Sequence, residues 1–140
     1  MTDFASVLEG VVSDLAAAGL NASEDAADVN PPGVLVRIES RTENTGKLCG
    51  TETLRIGLLL IVPDSTTRAA TRELARLASR VGPAAKIAGL RLLPDDQTFE
   101  RVTMPDDPTG LPCLRIPTLI TYAPDVPLPL FDRDPVSATR

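Results

Sequence analysis

Residues 52–62 alternate without a break: Leu54, Ile56, Leu58, Leu60 and Val62 fall on one face, and Thr53, Arg55, Gly57, Leu59 and Ile61 on the other. Successive side chains of an extended chain point to opposite sides, so patterning of this length specifies a β-strand with one face in a core. The second face runs from polar to apolar, and its end needs a cover as well. A sheet that buries one face requires a second layer, which the remaining segments have to supply.

They do so in order. Asp3 precedes apolar residues at Phe4, Val7, Leu8, Val11, Val12 and Leu15, the spacing of one helix face, and Gly19 supplies a left-handed stop. Residues 21–32 read as a connecting loop. Val34, Val36 and Ile38 alternate with Leu35, Arg37 and Glu39, predicting a half-buried strand. Between the two strands lies 42–51, with Asn44, Gly46 and Gly50 as breakers, a long polar hairpin loop expected to project. Pro63, Asp64 and Ser65 are expected to end the strand and cap a second helix. Its apolar stripe is Ala70, Leu74, Leu77 and Val81, and Gly82-Pro83 is its expected terminator.

Residues 90–93 and 98–104 read as short strands, and 106–110 as a turn. In the last strand Leu114, Ile116, Ile120 and Tyr122 alternate with Arg115, Leu119 and Thr121. Pro117 removes a ladder donor there, so this strand is expected at an edge or bulged. After Ala123, Pro124, Pro127, Pro129 and Pro135 predict an extended Pro-rich arm over 124–140, outside a single domain at 1–123. The fold class is α+β: a mainly antiparallel sheet of four to five strands with two helices on one face.

Composition narrows the chemistry. A chain of 140 residues is long enough for a sizeable core, and with three Phe, one Tyr and no Trp that core is aliphatic. The absence of His removes the Ser-His-Asp arrangement, the histidine general base and the commonest transition-metal ligand. Cys49 and Cys113 form no C-x-x-C, and the glycines form neither G-x-G-x-x-G nor a P-loop. The pairs Asp95-Asp96 and Asp106-Asp107 sit beside Pro and turn signals and read as solvated turns, while Cys113 reads as a small buried hydrophobe. No catalytic constellation emerges, so the expectation is a protein that is not an enzyme and uses no cofactor or metal. The longest apolar run, 58–62, is too short to span a bilayer, and the start lacks the features of a signal peptide; a cytosolic product with no membrane partner is expected.

Charge is segregated. Residues 1–36 carry six acids and no base, 37–91 ten bases and five acids, and 92–140 four bases and eight acids. Acidic ends and a basic middle can match within one chain or between copies, whereas the net charge of -5 argues against a free duplex-DNA binder. Arg68, Arg72, Arg76 and Arg80 recur at every fourth position and form one stripe along the second helix, with Asp64 as the expected partner of Arg68. The stripe reads as a solvated face, as a protein contact or as a nucleic-acid contact, the last disfavoured by the lack of aromatics beside it and by the acidic balance of the chain. Beside it, the candidate interface takes in Thr42, Glu43, Asn44 and Lys47 of the loop, and Leu59 and Ile61 of the partly apolar second face.

The succession FASVLEGVVSDLAAAGL, PPGVLVRIES and TETLRIGLLLIVPD, followed by a helix and a Pro-interrupted strand, resembles the tail terminator proteins of long-tailed bacteriophages. The resemblance covers about residues 1–123, with the strand opening 31–37 and the strand exit 54–64 its most specific pieces. It implies a structural subunit that closes with copies of itself into a homo-hexameric ring, caps the tail tube protein and joins it to the head-completion or stopper protein. The expected location is the neck of the virion, assembled in the host cytoplasm. DNA passes through such a ring without specific binding, which favours an acidic lumen; Glu39, Glu43, Asp95 and Asp96 are the candidates. A head-to-tail stopper or adaptor of the same neck, or a monomeric immunity-type binding domain, would use the same features.

Overall fold

The two longest alternating segments pair with each other and with the last strand. In the computed structural model, which describes residues 3–124, the elements are α1 (Phe4–Ala17), β1 (Ala22–Ser23), β2 (Gly33–Glu43), β3 (Glu52–Ile61), α2 (Thr67–Ile87), β4 (Arg91–Leu92), β5 (Thr98–Met104) and β6 (Asp107–Tyr122). The class is α+β, with six strands among the described residues where four to five are expected. The sheet runs β1-β2-β3-β6-β4, with β5 also paired to β6. Among the described residues β1 and β2 pair in parallel and the other ladders are antiparallel.

Both helices pack on one face. Val34, Val36, Leu54, Ile56, Leu58, Leu60, Leu114 and Ile116 of the sheet meet Val11 and Leu15 of α1 and Leu74, Leu77 and Val81 of α2. Each such side chain contributes roughly 1.5–3 kcal/mol on burial. Thr118 is fully buried among them, and its hydroxyl donates to the Ile56 carbonyl at 2.9 Å. Asp3 caps α1 by accepting from the Ser6 amide, while Phe4, at the start of the stripe, stays half exposed.

The second face has its own cover. Leu59 and Ile61 are completely buried with Leu35, Met104, Leu111, Cys113 and Val29. The lid comes from the chain itself: the 26–29 segment and the β5–β6 hairpin fold over that end. Leu59 and Ile61 therefore leave the candidate interface, because they have no surface to offer a partner.

Four other expectations change. The 21–32 connection contains β1 and a 3-10 turn, Ala26–Asp28. The cap of α2 is Thr66, accepting from the Ala69 amide, not Ser65. The helix also runs through Pro83, since Ala84 and Ala85 beyond it are buried in the core; it stops at Gly89, whose φ of 87° few other residues tolerate. The 106–110 turn shrinks to Pro105 and Asp106, with Asp107 already paired to Met104.

The last strand is central, with β3 on one side and β4 and β5 on the other. Pro117 is tolerated because its carbonyl accepts from Leu93, so its nitrogen points to the same side, at the junction where β5 has ended and β4 begins. The Pro-rich arm expected after residue 124 lies outside the described residues.

Candidate functional site

α2 presents its arginines to solvent, and their surroundings differ. Arg76 pairs with Glu73 at 2.6 Å, and Arg80 donates to the Gly19 carbonyl at 2.9 Å, clipping α2 to the end of α1. Asp64 lies before the helix begins and pairs with Arg101 at 3.2 Å instead of Arg68. Arg68 and Arg72 have no hydrogen-bond or ion-pair partner among the described residues. They border a shallow depression of about 300 Å³ with Thr66, Ala69, Glu73 and Arg76. The stripe thus has one half engaged within the chain and one half free.

The hairpin loop is shorter and better tied than its composition suggests. Thr42 and Glu43 belong to β2, opposite Thr53 and Glu52. Asn44 closes the loop: its amide donates to the Thr51 carbonyl at 3.0 Å, and its side chain bonds the hydroxyls of Thr51 and Thr53 at 2.9 Å. Lys47 sits in a 3-10 turn, Gly46–Leu48, at the exposed tip. Nearby, Glu52 accepts two bonds from Arg41 at 3.0 Å and one from the Tyr122 hydroxyl at 2.5 Å. Partial burial and this bond push the hydroxyl up to about 12.

The second sheet face holds a charge network that the sequence does not announce. A bulge between Ile38 and Ser40 lifts Glu39 out of register. Its carboxylate accepts from Arg115 on β6, with Nε at 2.7 Å, and from Arg55 on β3 at 3.4 Å. Arg55 also holds Asp96 at 3.4 Å. Burial alone would raise the Glu39 carboxyl, but the two guanidinium groups hold it below the usual carboxylate range.

Three of the four acids expected in a lumen therefore have arginine partners: Glu39, Asp96, and Glu43, which is bound to Arg41 at 3.0 Å. Asp95 alone is exposed and unpaired among the described residues. Glu39 and Asp96 come together through Arg55, while Glu43 stands at the hairpin end of β2. Arg55 and Arg115 are the residues that sequence reasoning missed. They lie 60 positions apart, and a glycine in mid-strand at Gly57 is their only trace.

A cleft of about 350 Å³ separates the first half of α2 from β5. Ala70, Leu74, Pro112 and Cys113 line it with Arg101 and Phe99, which is 71% exposed. Burial pushes the Cys113 thiol up to about 12, which favours its protonated form at neutral pH. Among the described residues no group of three His, Cys, Asp or Glu could hold a metal ion, and no helix is long and apolar enough to cross a membrane. No protein-family model matches the chain, and a search of curated proteins finds no relative.

Proposed function

We propose that the chain is a structural subunit of a long-tailed bacteriophage neck, a tail terminator that closes into a hexameric ring, caps the tail tube and presents a face to the head-completion protein. Its order of elements and the texture of residues 1–123 support this reading, as does the division of charge in the helical layer, which carries it furthest. α1 packs over β1 and β2 and bears acids without a base, including Glu9 and Asp14. α2 packs over β3, β6 and β4 and bears five bases and one acid.

The two signs thus sit on neighbouring helices of one layer, with α2 clipped to the end of α1 by Arg80. Complementary contact then joins different patches of neighbouring copies, and a heterologous contact generates a ring when its rotation closes. Arg68 and Arg72, without a partner among the described residues, are the cations for that contact. DNA would pass the ring without specific binding; of the acids proposed for its lining, Asp95 alone is uncompensated among the described residues.

Light scattering of the wild type and of an Arg68→Glu/Arg72→Glu variant tests the reading. The wild type is expected as a multimer and the variant as a smaller species with an unchanged melting curve. A wild type that stays monomeric, or a variant that assembles equally well at low and high salt, refutes it.

A further inference from the structure

We infer that the face of α2 carrying Arg68 and Arg72 docks on the lid of a second copy, where Asp28 and Asp106 supply the opposite charge, so that subunits join head to tail. The inference rests on the self-association proposed above and names the acids that the two arginines meet.

The basic side is a helix face without a cover. Arg68 and Arg72 stand one turn apart on α2, so both guanidinium groups can address a single acidic surface. Neither has a partner among the described residues, and Glu73, the one acid lining their depression, is taken by Arg76.

The acidic side is assembled by the fold. Asp28 closes the 3-10 turn Ala26–Asp28, and Asp106 lies far along the chain in the turn between β5 and β6. The two segments meet around a hollow of about 120 Å³, which Ala26 and Ala27 line together with Asp106 and Asp107, and no base belongs to its lining. Glu24 and Asp25 run into the same 3-10 turn. Asp28 and Asp106 are exposed, and their side chains have no hydrogen-bond or ion-pair partner among the described residues. Acids gathered in this way repel one another, and an opposing cationic surface relieves the repulsion.

Placement decides how copies join. α2 packs on one face of the sheet, whereas the 26–29 segment and the β5–β6 hairpin cover the other. One neighbour cannot cover both patches, so each copy gives its arginines to one neighbour and its acids to another, which is a heterologous contact. The acids of α1 are a poorer match. Glu9 and Asp14 are five positions apart, about 140° round the helix, and so do not face one surface together.

Sedimentation of four full-length proteins tests the inference: wild type, Asp28→Lys/Asp106→Lys, Arg68→Glu/Arg72→Glu and Glu9→Lys/Asp14→Lys. The wild type should grow beyond a dimer and weaken as salt rises, because the charges in contact are exposed ones. The lid variant should associate at least about tenfold more weakly, and the α1 variant should associate like the wild type. An equimolar mixture of lid and arginine variants retains one intact patch on each protein and should form a dimer that grows no further. Asp28→Asn/Asp106→Asn should also weaken association, a readout that survives if the charge reversal costs stability. A lid variant that assembles like the wild type while the arginine variant does not, an α1 variant that fails to assemble, or a mixture that stays monomeric overturns the inference and leaves the ring reading standing. A wild type that is monomeric at every concentration, or that stops at a dimer, overturns both.

Discussion

The Glu39 carboxylate lies over the bare backbone of Gly57 and bonds the Arg115 guanidinium beyond it, so an ion pair crosses β3 from β2 to β6. A Cβ on residue 57 would collide with that carboxylate. Gly57→Ala should therefore act through Glu39: the carboxylate swings away and Arg115 loses its partner, at about 1–2 kcal/mol. Urea denaturation of Gly57→Ala, Glu39→Ala and the double variant checks this, the double variant costing little more than Glu39→Ala alone. Additive losses would show that the two positions act independently.

The same pair sets a pH dependence. A carboxyl whose folded pKa is lowered stabilises the protein above its unfolded pKa, near 4.5, and loses that contribution as pH falls through the folded value. Stability measured by urea denaturation should be level down to about pH 5 and then fall. In Glu39→Gln that fall should be shallower, with a lower plateau above it. Parallel curves for the two proteins would place the acid sensitivity elsewhere.

Pro83 interrupts α2 without ending it. It is exposed and deprives the Ser79 carbonyl of its helical donor, while the helix continues because Ala84 and Ala85 are buried. Pro83→Ala should raise stability by about 1–2 kcal/mol, the helix-interior cost of proline offset in part by the greater freedom of the unfolded chain. Chemical denaturation provides the measurement; a loss of stability would mean that the proline ring makes a contact worth more than the missing hydrogen bond.

The two thiols should separate cleanly. Cys49 is exposed in the hairpin loop, whereas Cys113 is 1% exposed with its thiol raised to about 12. A maleimide reagent at neutral pH should label one thiol in the native protein and two in urea, with the native label mapped to Cys49 by mass spectrometry. Native labelling of Cys113 would show that the β5–β6 hairpin opens readily.

Periodicity carried much of the fold. The start of α1, the extent of β3, the limits of β5 and the buried stripe of α2 are all legible in the spacing of aliphatic residues. Interactions without a period were not. β1 is two residues long, a length at which no alternation exists to be read. Pro117 suggests an edge only if both sides of a strand are assumed to be paired there, and Pro83 suggests a stop only if the residues beyond it have nothing to bury. The arginine stripe was legible as geometry, but its division into engaged and free halves depends on Glu73 and on the Gly19 carbonyl, a backbone atom 61 positions away. Leu59 and Ile61 misled because their cover comes from residues 26–29 and 102–111, far away in the sequence.

The position of β6 has a consequence for biosynthesis. The strand at the centre of the sheet is the last to be made among the described residues, and the partners of β3 lie 52 to 70 positions downstream, from Cys113 opposite Ile61 to Tyr122 opposite Glu52. Until residues 107–122 leave the ribosome, the nascent chain carries Leu58, Leu59, Leu60 and Ile61 on an unpaired edge, the form in which one chain most readily captures another. Completion of β6 closes that window in each chain, and any factor that shields an aliphatic strand edge during synthesis should raise the yield of folded subunit.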